Sequence, residues 1–171
     1  MSHGLAVSSF RVTASGPPLS PAAVRGIVER AARLKAASAA GKADKPLRGR
    51  NIALLRQVLG EPPPLQRAAV DLGARVAQLR IGHPLPPRAE LAVLAQMLGR
   101  LYDAVDCGGL DAALAAMLHE TAGVTVYDGL GEDAHPAHAL AGLMSAHGDV
   151  AELADNHRFV LQALLISTLE S

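Results

Sequence analysis

What this 171-residue sequence lacks narrows its chemistry first. It has a single cysteine, Cys107, so an intrachain disulfide and a cysteine-rich zinc cluster are both excluded, and a reducing, cytoplasmic setting is expected. Tryptophan is absent, and Phe10, Tyr102, Tyr127 and Phe159 are the whole aromatic complement, so the core must be assembled from Ala, Leu and Val. No run reaches the ~18 apolar residues of a membrane span, and Met1 to Pro18 has no charged start followed by an apolar stretch. A soluble protein without membrane association is the expectation. Gly-x-Ser-x-Gly, Gly-x-Gly-x-x-Gly and the Walker loop are missing as well, which removes the usual hydrolase, dinucleotide and nucleotide readings.

Charge is balanced overall and unbalanced along the chain. Residues 1–60 hold ten Lys and Arg against two acids, and residues 61–171 hold six against fourteen, giving halves of +8 and −8. A basic arm for nucleic acid would produce this pattern, but the basic half offers only Phe10 on which a base could stack, so nucleic acid is not the expected partner. The alternatives are a solvated, Arg-rich first helix or unlike faces that bring subunits together.

What is present alternates between two periods. Ser20-Pro21 caps a helix running to about Ala40, with Val24, Ile27, Val28, Ala31 and Leu34 on one face. Short apolar stretches at 50–58, 75–81, 102–106 and 123–127 read as strands. Between them Leu65, Ala68, Ala69 and Leu72, then Leu91, Leu94, Met97, Leu98 and Leu101, then Leu110, Leu114, Met117 and Leu118 recur at helical spacing. A fifth helix starts at Pro136 and runs to about His147, and a last one spans about 152–169, apolar almost all round from Phe159 to Ile166. The pattern predicts one α/β domain over 19–171: three layers, with a four-stranded parallel sheet flanked by helices on both faces, behind a flexible segment 1–18.

The handover from the first strand to the second helix reads Gly60-Glu61-Pro62-Pro63-Pro64. In an open α/β fold this junction is the natural anion site, because free N–H groups and the positive helix end converge there. Each proline deletes a donor, and Glu61 adds negative charge where an anion would sit.

Three passages together resemble the aspartate and ornithine carbamoyltransferases. They are Leu19-Ser20-Pro21 through Lys35 to Lys45-Pro46-Leu47-Arg48-Gly49-Arg50; Asp128-Gly129-Leu130 followed by His135-Pro136-Ala137-His138-Ala139-Leu140-Ala141; and Asp155-Asn156-His157-Arg158 through Gln162-Ala163-Leu164-Leu165. The resemblance implies the carbamoyl-phosphate domain of that family and its returning terminal helix, with the co-substrate domain missing between Gly148 and Glu152. It also implies trimers. Counted back from Leu72-Gly73, the family's Ser-Thr-Arg-Thr-Arg phosphate motif falls on Val58, Leu59, Gly60, Glu61 and Pro62, its Arg-Thr pair falls near Gly108-Gly109, and the glutamine of His-Pro-x-Gln is replaced by His138. Losing three hydrogen bonds to a charged group removes roughly 5 to 9 kcal/mol of binding. The resemblance therefore implies a catalytically inactive, regulatory or assembly subunit, either a homo-oligomer or mixed with a full-length carbamoyltransferase, needing no cofactor.

The alternative is a small-molecule site repurposed around His135, Pro136, His138 and Cys107, or residual binding of amino acids or carbamoyl compounds. His135 and His138 lie three apart near Asp133, a weak pattern for a metal, and no metal site is expected. Cys107, at the end of the third strand, could pair with His135 as a nucleophile, but a small buried thiol is the simpler expectation. Glu132 and Asp133 are read as a solvated loop.

Overall fold

The computed structural model describes residues 11–170 apart from Ser15, His83, Gly109, Asp111 and 146–148. Four parallel strands, β1 (Asn51–Arg56), β2 (Arg75–Arg80), β3 (Ala104–Asp106) and β4 (Thr125–Tyr127), form one sheet in the order β2-β1-β3-β4. Six helices surround it: α1 (Pro21–Ala39), α2 (Pro64–Asp71), α3 (Arg88–Leu101), α4 (Ala112–Ala122), α5 (Pro136–Gly142) and α6 (Val150–Leu169). The expected α/β class, with a four-stranded parallel sheet, is what the chain adopts.

Side chains alternate across the sheet. Ile52, Leu54, Ala104 and Tyr127 point into a core shared with α1, α2, α5 and α6, while Ala53, Leu55, Val105 and Val126 point into a second core under α3 and α4. Strands this short and buried on both faces carry apolar residues at nearly every position, which is why they read as runs rather than as alternation.

Several elements are shorter than their pattern suggested: the strands expected at 102–106 and 123–127 each start two residues later, at Ala104 and Thr125. The apolar run at 50–58 ends as a strand at Arg56, because Gln57 and Val58 have left the sheet and Val58 is 81% exposed. Helix α5 stops at Gly142, with Leu143 as its C-cap, and the expected helix end at His147 lies outside the described residues. Of the segment 1–18 expected to be flexible, residues 11–14 are docked: Val12 is buried in the core, and the Ala14 N–H donates to the Val126 carbonyl at 2.8 Å.

Helix α6 closes the domain. Eleven of its twenty residues are buried, against α1, α2 and α5. Polar ties fix its register: Lys35 Nζ donates to Asn156 Oδ1 at 2.7 Å, and Arg158 spans Asp71 at 3.1 Å and Asp155 at 2.7 Å. Only seven residues, 143–149, lie between the end of α5 and the start of α6.

Candidate functional site

The chain order of the sheet reverses between β1 and β3, and the crevice outside their carboxyl ends is where an open α/β fold takes its ligand. Here β1 ends on Arg56 and β3 on Asp106. Arg56 Nη2 meets Asp106 Oδ2 at 2.8 Å, its Nη1 donates to the Leu55 carbonyl at 2.9 Å, and the Gly129 N–H donates to Asp106 Oδ1 at 2.9 Å. Asp106 is 1% exposed. The loops after β3 and β4 then meet backbone to backbone, since a Cβ on Gly108 would lie 2.5 Å from the Gly129 Cα. The crevice is filled by an internal ion pair.

The junction before α2 is closed in a second way. Pro63 is the N-cap with no side-chain bond, Pro64 opens the helix, and Pro62 precedes them, so three positions supply no N–H. Gly60 is tied to Gln78, whose Nε2 donates to the Gly60 carbonyl at 3.3 Å. The N–H groups of Gln66 and Arg67 both turn back to the Pro63 carbonyl. That leaves Leu65, and Gly131 packs on it so closely that a Cβ there would lie 3.0 Å from the Leu65 nitrogen. Val58, Leu59 and Glu61 are exposed to solvent.

The residues singled out in the sequence go to three different places. Cys107 is fully buried in the core under α3 and α4, and its Sγ donates to the Tyr127 carbonyl at 3.2 Å. Burial, reinforced by Asp106 and Asp128, pushes its thiol up to about 12, which keeps it protonated at neutral pH. His135 caps α5: its Nδ1 accepts the Ala137 N–H at 3.1 Å, and burial lowers its pKa against the opposing pull of Asp106 and Asp128. With Pro136 and Asp128 it lines a small cavity of about 220 Å³ beneath residues 11–14. His138, one turn on, lines a different and larger cleft. The two cavities divide His135 and Pro136 from His138, and Cys107 lines neither; among the described residues no three His, Cys, Asp or Glu side chains are grouped to hold a metal ion.

That larger cleft, about 820 Å³, runs between α2 and the start of α6. Pro62, Pro64 and Val70 form one wall, and Ala151 and Ala154 the other. His138 and His157 meet in it edge to face, ring centres 4.7 Å apart. His157 is 3% exposed and its Nε2 has no hydrogen-bond partner; His138 Nδ1 has none either, with Asp133 Oδ1 at 3.7 Å.

Sequence reasoning missed Arg56, Asp106 and His157 as site residues. Each carried a signal: a charged residue ending an otherwise apolar strand, and an imidazole on the buried stripe of an apolar helix. What no spacing reveals is that Arg56 and Asp106, fifty positions apart, find one another.

No protein-family model matches the sequence. Solved structures do match. The ornithine carbamoyltransferase of Pyrococcus furiosus superposes with a TM-score of 0.63 at 26% identity over 80% of this chain and 44% of its own. The ornithine carbamoyltransferase of Thermus thermophilus gives 0.59 at 24% over 73% and 44%, and the aspartate transcarbamoylase of Trypanosoma cruzi, in complex with phosphate, gives 0.62 at 18% over 80% and 44%. The fold is that of a partial carbamoyltransferase domain. The chain spans less than half the length of these relatives. Within this carbamoyltransferase-like domain the sheet and helices are kept, and the edge of the sheet at which an α/β fold meets an anion is closed.

Proposed function

We propose that this chain is a non-catalytic, carbamoyltransferase-like subunit that acts through assembly, either with copies of itself as a trimer or with a full-length carbamoyltransferase, in the cytoplasm. One observation carries the reading: the Asp106 carboxylate already holds Arg56 and the Gly129 N–H at the strand ends, where an incoming phosphate would need both. A second anion there would face Asp106 across a few ångströms of low-dielectric interior, and repulsion at that distance is strong. The prolines remove three N–H donors at the start of α2, Gln66 and Arg67 turn theirs back to the Pro63 carbonyl, and Gly131 crowds that of Leu65, so little is left to offset it.

Isothermal titration calorimetry with carbamoyl phosphate and with inorganic phosphate tests the reading. No heat of binding is expected at millimolar ligand, and no carbamoylation of aspartate or ornithine in a coupled assay. Saturable binding of carbamoyl phosphate, or turnover by the chain alone, overturns it.

A further inference from the structure

The cleft between α2 and α6 borders the closed junction at Pro62 and Pro64 but does not include Arg56 or Asp106, and its lining leaves polar groups without partners. Arg158 is neutralised on both sides by Asp71 and Asp155. Arg67, exposed on α2 and lining the same cleft, makes no side-chain hydrogen bond or ion pair among the described residues. His157 is almost wholly buried with Nε2 unpartnered, and beside it His138, half-buried, has no hydrogen bond at Nδ1 and only the Asp133 Oδ1 at 3.7 Å. A buried polar atom without a partner is costly, so two on neighbouring rings, at a cavity of this size, mark a place where something else completes the hydrogen bonding.

The walls select the chemistry. Pro62, Pro64, Val70, Ala151 and Ala154 present apolar surface, and 820 Å³ is within the range of cavities that hold small organic ligands. Arg67 is the uncommitted cation, and a planar guanidinium matches a carboxylate with two parallel bonds. Asp133 opposes an anion, but its side chain is 91% exposed, so water screens it. Two imidazoles without a third protein ligand do not make a metal site. We propose that this cleft binds a small organic carboxylate with an apolar body, the carboxylate on Arg67 and the ligand's polar edge against His138 and His157. The proposal goes beyond the loss of carbamoyl phosphate binding and does not depend on it.

Benzoate and isovalerate are suitable probes, with benzamide, benzylamine and inorganic phosphate as the uncharged, cationic and tetrahedral comparisons. Thermal shift and calorimetry should show the two carboxylates binding and the other three failing. In NMR titrations the ring C–H signals of His138 and His157 should move with benzoate, while those of His119, away from the cleft, stay still. Arg67→Ala should weaken benzoate roughly tenfold or more, Arg67→Lys less, and Arg33→Ala, on an exposed turn of α1, not at all. Circular dichroism checks that each variant is folded. Benzamide or benzylamine binding as well as benzoate, unmoved His138 and His157 signals at saturating benzoate, or full affinity in Arg67→Ala would each overturn the proposal, as would the absence of any carboxylate binding. Apart from the phosphate comparison, none of these results bears on the loss of carbamoyl phosphate binding, so the two readings fail separately.

Discussion

At the scale of single residues, burial and then the neighbouring His138 ring hold the His157 imidazole down at about 4, against its ordinary 6.5. Above pH 6.5 both folded and unfolded chains carry it neutral, and it contributes nothing to the pH dependence. As pH falls below 6.5 the unfolded chain takes up a proton that the folded chain refuses, so stability is lost progressively down to about pH 4, by on the order of 3 kcal/mol. Urea unfolding followed between about pH 7 and pH 4.5 should show this decline, and His157→Leu should flatten it. Burial lowers the His135 pKa too, which adds to the same slope. Cys107 gives a second test. A thiol pushed up to about 12 and closed inside the core should resist iodoacetamide at neutral pH and react only in urea, a difference that mass spectrometry reads directly.

At the scale of elements, the start of α2 shows how far a local repair can go. Pro63→Ser places a hydroxyl at the N-cap, worth roughly 1 kcal/mol, and gives up the restriction that proline places on the unfolded chain, worth about 0.4 to 1 kcal/mol. The two effects offset, so the unfolding midpoint should hardly move. Phosphate affinity should stay absent, because the Asp106 carboxylate still holds Arg56 and the Gly129 N–H. Much of this architecture was legible in the residues: Ser20-Pro21 starts α1, apolar periodicity places α2 and α3, the nearly unbroken apolar stretch Phe159 to Ile166 places α6, and runs such as Ile52 to Leu55 read as buried strands. Boundaries were less legible, because Val58 is as apolar as Ile52 and only the sheet's own edge decides that one is solvated. The candidate site was legible in its loss and not in its replacement. Prolines announce missing donors from sequence alone, whereas the Arg56–Asp106 pair and the His138–His157 contact exist only once the crossovers are made.

At the scale of the whole molecule, halves of +8 and −8 give any assembly a measurable ionic character. If unlike surfaces meet between subunits, sedimentation velocity should show a species larger than monomer at low salt that shrinks as salt approaches about 0.5 M, where charges are screened within a few ångströms. A sedimentation coefficient that ignores salt and fits a monomer would remove assembly from the proposed role. The Asp106 carboxylate has a further consequence for how this domain meets anions in solution. Being covalently tethered beside Arg56, it competes at an effective concentration that no freely diffusing metabolite can match, so the domain in effect carries its own permanent inhibitor. Asp106→Asn should therefore do two things at once: destabilise the fold by about 3 kcal/mol, because Arg56 loses its counter-ion, and make the melting temperature rise with added sulfate, which the unsubstituted protein ignores.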